Sequence, residues 1–72
     1  MNNSIDQRRL EIAQRIRKAR SSSGMTQEEA AKILGFSRIK MNRIENGLAE
    51  LSVLELDAFT KQVGYPVDYF FN

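Results

Sequence analysis

Four glycines cut this chain into short stretches, and each stretch repeats its apolar residues at helical spacing. Gly24, Gly35, Gly47 and Gly64 lie 11, 12 and 17 residues apart. No window alternates apolar and polar residues for long enough to suggest a half-buried strand. Glycine is the residue that ends a helix in the left-handed conformation at no steric cost. A chain punctuated this way is left with a bundle of short helices.

The segments bear this out one by one. Ile5, Ile12, Ile16 and Ala19 share one face of a first helix, the longest, which runs out in Ser21-Ser22-Ser23-Gly24. Thr26-Gln27-Glu28-Glu29 is a capping box, in which the Thr26 hydroxyl and the Glu29 carboxylate each take a backbone amide. The second helix continues through Ala30, Ala31, Ile33 and Leu34 to Gly35. Ser37 caps a third helix with Met41 and Ile44 on its inner side, stopped near Asn46-Gly47. Ser52-Val53-Leu54-Glu55 is a second capping box. It opens a fourth helix with Val53, Leu56, Phe59 and Val63 on one face. Pro66 suits the first turn of a last helix, with Val67, Phe70 and Phe71 as core plugs. The prediction is an all-α fold of five short helices in one domain, residues 1–72, with helices four and five at about 52–71.

Composition removes whole classes of chemistry. A chain of 72 residues buries only about 60% of its unfolded surface, so its core is thin. It has no histidine and no cysteine. That leaves no His/Cys zinc site, no thiol nucleophile and no Ser-His-Asp triad. No Gly-rich phosphate loop and no cluster of metal ligands appears, so neither a cofactor nor a metal is expected. Glu28, Glu29, Glu45 and Asp57 could serve acid–base chemistry in principle, but caps and exposed helix positions explain them better. An enzyme is not expected. No apolar run approaches a membrane span of about 18 residues, and the opening Met1-Asn2-Asn3-Ser4 is polar rather than a signal peptide. The absence of cysteine fits a reducing cytoplasm.

The net charge of +2 hides a gradient. In residues 1–24, Arg8, Arg9, Arg15, Arg17, Lys18 and Arg20 stand against Asp6 and Glu11, a net +4. Residues 25–47 carry a net +1, and residues 48–72, with Lys61 against Glu50, Glu55, Asp57 and Asp68, a net −3. The basic front is either a surface for a polyanion or a solvated helix face.

Residues 26–46 carry the functional information. Two short helices joined by Gly35-Phe36-Ser37, with small Ala31 where they cross, match a helix-turn-helix. An ordinary αα-corner has the same turn. The outer face of the third helix separates the two readings. At about 100° per residue, Arg38, Ile39, Asn42 and Arg43 fall on one arc, with Met41 and Ile44 opposite. Arginine pairs with guanine O6/N7, asparagine with adenine N6/N7, and an apolar group meets the thymine methyl. A merely solvated face would carry Glu and Lys pairs, and no acid lies in this arc. Ile39 is either a thymine-methyl contact or a lone surface apolar.

Residues from about Ile12 to Phe71 resemble the lambda-repressor-like, or XRE/Cro-type, helix-turn-helix family. The resemblance rests on Ile16-Arg17, Arg20, Met25-Thr26-Gln27-Glu28-Glu29-Ala30-Ala31, Leu34-Gly35-Phe36-Ser37, Ile44-Glu45-Asn46-Gly47 and Gly64. It implies a five-helix fold that binds operator DNA as a dimer, in a group rich in prokaryotic and phage repressors. It implies base contacts at Arg38, Ile39, Asn42 and Arg43. It also implies backbone contacts at Thr26, Gln27, Ser37, Lys40 and Asn46, with Arg17 of helix one as a further anchor. Arg20 and Glu45 resemble a structural pair linking helix one to the end of helix three. Two departures stand out: Leu51 replaces a common proline, and Leu48-Ala49-Glu50 replaces a loop that often reaches phosphate with Lys or Arg.

Partners follow from the same reading. The first is a double-stranded DNA operator, with half-sites roughly 34 Å apart for a dimer. Leu51, Leu54, Ala58, Tyr65, Val67, Tyr69 and Phe71 are surplus to a small core or only partly used by it, and form the candidate homodimer interface. The alternative is an antitoxin or adaptor that uses this fold to hold a protein partner. The ending Pro66-Val67-Asp68-Tyr69-Phe70-Phe71 is similar to relatives that carry a fused downstream domain.

Overall fold

The computed structural model describes residues 4–72; Met1, Asn2 and Asn3 of the polar opening lie outside the described residues. Five helices follow in order: α1 Ser4–Ser22, α2 Gln27–Leu34, α3 Arg38–Glu45, α4 Val53–Val63 and α5 Asp68–Phe71. No strand occurs among the described residues. None of these helices is long and apolar enough to cross a membrane.

The local chemistry that starts α2, α3 and α4 is the chemistry written in the sequence, while α5 has no side-chain cap. Thr26 Oγ1 accepts the Glu29 amide at 3.1 Å, and the Glu29 carboxylate accepts the Thr26 amide at 2.9 Å. Ser52 and Glu55 make the same reciprocal pair at 3.1 and 2.9 Å. Ser37 Oγ accepts the Lys40 amide at 3.1 Å. At the other end of α2, Gly35 turns left-handed at φ +82°. That turn lets the Phe36 amide reach back to the Ala31 carbonyl at 3.0 Å. The closure satisfies the last carbonyls of α2 and sends the chain directly into the Ser37 cap.

Nine apolar side chains form the buried core: Ala13, Ile16, Ala19, Ala30, Ala31, Met41, Ile44, Phe59 and Phe70. Four are alanines on α1 and α2, whose small size permits close helix approach. Phe59 and Phe70 are the largest of them, with ring centroids 5.9 Å apart, and Tyr69 meets Phe70 edge-on at 5.1 Å. Such tilted contacts suit the ring quadrupoles.

Several core assignments need correction. Ile5, Ile33 and Val53 share the apolar stripes of their helices, yet all are exposed, Val53 at 83%. Each lies near the end of its helix, where the neighbouring element has turned away. Val67 and Phe71 are nearly half exposed, and Phe70 alone is the plug of α5. Pro66 precedes α5 rather than occupying its first turn; its carbonyl accepts the Tyr69 amide at 3.0 Å.

Candidate nucleic-acid interface

α3 is anchored by its buried end. Glu45 has a side chain only 2% exposed, and Arg20 of α1 grips it in a fork. Arg20 Nε donates to Glu45 Oε2 at 2.6 Å, and Arg20 Nη2 to Oε1 at 3.0 Å. The third guanidinium nitrogen donates to the Met25 carbonyl at 2.7 Å. Gln27 Nε2 adds a further bond to Glu45 Oε1 at 2.9 Å. One carboxylate thus joins α1, the start of α2 and the end of α3. With three donors on its two oxygens, one guanidinium among their sources, its charge is compensated where it sits.

This anchoring leaves one face of α3 outward. Arg38, Ile39, Asn42 and Arg43 are all exposed, Ile39 at 67%. Arg38 has no hydrogen bond or ion pair among the described residues. Arg43 Nη2 has a long contact of 3.4 Å to the Leu48 carbonyl. Asn42 is better defined: Asn46 Nδ2 donates to its carbonyl at 2.8 Å and to its Oδ1 at 3.2 Å. That leaves the Asn42 amide nitrogen available with its orientation already set.

The flanking positions divide by what already holds them. Gln27 Nε2 spends one proton on Glu45 and keeps a second. Ser37 uses its oxygen as a cap, so its hydroxyl proton is still available. The first turn of α2 leaves the Gln27 and Glu28 amides without intrahelical acceptors. The carboxylates of Glu28 and Glu29 in that turn act against an incoming anion. The Asn46 amide is committed to the Asn42 and Arg43 carbonyls at 3.1 and 3.2 Å, so only its side chain is adaptable. Lys40 Nζ lies 3.1 Å from Glu55 Oε2 of α4 and 4.6 Å above the Phe36 ring. The Ser52 amide and then Lys40 hold the Glu55 carboxyl below the usual glutamate range, against the opposing effect of burial.

The basic residues of α1 separate by face. Leu10, Arg17 and Arg20 share one stripe at about 100° per residue. Leu10 touches Gly47, and Arg20 grips Glu45, so Arg17 lies beside the end of α3. It is exposed and has no partner among the described residues. The opposite stripe serves α5: Arg8 donates to the Phe71 carbonyl and Arg15 Nη1 to the Tyr69 carbonyl at 3.4 Å. Arg8 also pairs with Glu11, and Arg9 with Asp6 and Glu50. Glu50 on Arg9 and Glu45 on Arg20 therefore neutralise half of the net +4 of the front inside the molecule. Of the candidate dimer residues, Leu54, Ala58, Val67 and Phe71 are exposed, while Leu51, Tyr65 and Tyr69 pack partly on the core. Glu55, Phe36 and Leu10 take part in this arrangement without having been singled out for it from the sequence. Only Glu55, as the third residue of a cap, carried a local signal.

A family model for the helix-turn-helix domain matches residues 11–68, and the chain belongs to that family. Its fold is that of DNA-binding regulators of the XRE type, in agreement with the resemblance read from the sequence. Among solved structures it is similar to the restriction-modification controller protein C.AhdI from Aeromonas hydrophila. That match has a TM-score of 0.84 at 20% identity, over 96% of this chain and 100% of that one. It is also similar to the clp gene regulator ClgR from C. glutamicum. Here the TM-score is 0.79 at 25% identity, over 89% of this chain and 83% of that one. No curated protein sequence gives a significant match.

Proposed function

We propose that this protein is a sequence-specific transcriptional regulator, a repressor that binds a palindromic operator as a dimer with α3 in the major groove. The observation that carries the reading is the acid-free outer arc of α3. Arg38, Ile39, Asn42 and Arg43 are exposed together on a helix whose end is fixed by the Arg20–Glu45 fork. Their donors, acceptor and methyl groups match what base edges present in that groove. Gln27, Thr26, Ser37, Asn46 and Arg17 flank the arc as phosphate contacts, which position the helix without reading sequence. The cell's cytoplasm, where such DNA lies, is the proposed location.

Support for the dimer comes from apolar surface that the monomer leaves uncovered. Leu54 is 80% exposed. Separately, a groove of about 540 Å³ runs between α1 and the α3–α4 connection, lined by Ile5, Ile12, Leu51, Leu56 and Phe71 among others. Apolar surface gathered this way on a small domain marks an interaction site.

Selection from a pool of random duplexes tests the reading. A two-fold symmetric consensus with half-sites roughly one helical turn apart is expected. Failure to enrich any sequence would refute specific binding. Sedimentation with and without the selected duplex tests the dimer separately, and a strict monomer in both would overturn it.

A further inference from the structure

We propose that Lys40 is a positioning residue for the recognition helix: its ammonium, held between the Glu55 carboxylate and the Phe36 ring, fixes the angle at which α3 meets α4 and does not meet a phosphate. This rests on the DNA-binding reading above. Lys40 is four residues from buried Ile44, so it sits about 40° from that edge of the inner face of α3. It therefore leaves the helix on the flank that turns toward α4, away from the centre of the base-facing arc.

Both ends of this contact are already committed. Glu55 Oε1 accepts the Ser52 amide at 2.9 Å, and Oε2 accepts Lys40 Nζ at 3.1 Å. The carboxylate cannot follow a moving lysine without giving up the α4 cap. Phe36 is held in the α2–α3 turn through its own amide, bonded to the Ala31 carbonyl. Lys40 thus bridges the turn before α3 to the first turn of α4. It is the one ion pair or hydrogen bond joining α3 to α4 among the described residues. Met41 and Ile44 pack the inner side of α3 on the core, and its remaining polar tie to other helices is at the far end, where Glu45 meets Arg20 and Gln27. A helix of eight residues held near both ends has a fixed direction as well as a fixed position.

The electrostatics agree. Lys40 and Glu55 neutralise each other, so the lysine adds no free charge to the DNA side. Meeting a phosphate would release the carboxylate and the ring together. A contact that must first break two others adds little affinity.

Two variants isolate the effect. Lys40→Met keeps the apolar stem over Phe36 and removes the ammonium. Glu55→Gln removes the charge and keeps a residue that still caps α4. Affinities are measured for a duplex selected from a random pool and for a scrambled duplex of equal length, across a salt series. Each variant is expected to weaken the selected duplex about three- to fivefold, as for a partly exposed ion pair. The double variant should lose no more, and scrambled-duplex affinity and the log–log salt slope should not change. Parallel loss on both duplexes with a slope shallower by about 0.9 would make Lys40 a phosphate contact and overturn the proposal. Additive losses, or a lower melting temperature with unchanged affinities, would overturn it as well. Residual dipolar couplings of the free proteins read the α3–α4 angle without DNA. If the wild type prefers no duplex, the DNA reading fails by itself. The positioning role then stands or falls on whether both variants alter that angle.

Discussion

Arg38 and Arg43 on one side of α3 and Glu45 at its end show how neighbouring positions can have opposite tasks. The first two are exposed and lightly held, so their guanidinium groups cost little to redirect. Arg38→Ala and Arg43→Ala should each cost about 1–3 kcal/mol on the selected duplex and relax base choice at one position. Gln27→Ala should weaken all duplexes more evenly; binding titrations against single-base variants separate the two patterns. Glu45→Ala removes an acceptor that three bonds converge on and strands the Arg20 guanidinium, 12% exposed. Stranding one member of a buried pair costs about 3–5 kcal/mol, and denaturant unfolding measures it. Its loss of DNA binding should therefore come with loss of fold. Glu55 gives a pH signature. Its folded pKa lies below the ordinary value of 4.5. Its stabilising effect is thus full above that value and disappears as pH falls through the lowered one. Melting temperatures of wild type and Glu55→Gln should converge in acid and separate toward neutrality.

At the scale of the helices, the boundaries were legible because caps are local. Thr26 with Glu29 and Ser52 with Glu55 are three residues apart, and their bonds form without reference to anything distant. The faces were less legible. A helical stripe shows which way a residue points and not how far the neighbouring element extends. Ile5, Ile33 and Val53 lie on the expected stripes and are nevertheless exposed. The outer arc of α3 was readable from spacing alone, while the partners of Lys40 and Arg15 were not, because they come from 15 and 54 residues away. Gly47 tests the contribution of one boundary. Its φ is +76°, and an added Cβ would come 2.7 Å from Leu10 Cδ2. Gly47→Ala should destabilise by about 1–2 kcal/mol, read by chemical denaturation. Because Leu10 can swing aside, backbone strain should account for most of that cost.

The molecule as a whole keeps its charge apart more by pairing than by composition. Arg8, Arg9, Arg15 and Arg20 are all engaged within the fold, so the salt dependence of operator binding should fall short of the full count of basic residues. Each phosphate neutralised contributes about 0.9 to the log–log slope, and a salt titration counts them. The same engagements join the two ends of the fold. α5 has four residues, too few to persist alone. Arg8 holds the Phe71 carbonyl across 63 residues of chain, and Arg15, two turns further along α1, holds the Tyr69 carbonyl. The last helix therefore depends on the first, and the fold behaves as a closed ring fastened by a clasp of two arginines. Opening that clasp leaves α5 held by the packing of Phe70 on Phe59. An event at the start of α1 would therefore be felt at the opposite end of the sequence through Arg8, as well as beyond the recognition helix through Arg9 and Glu50.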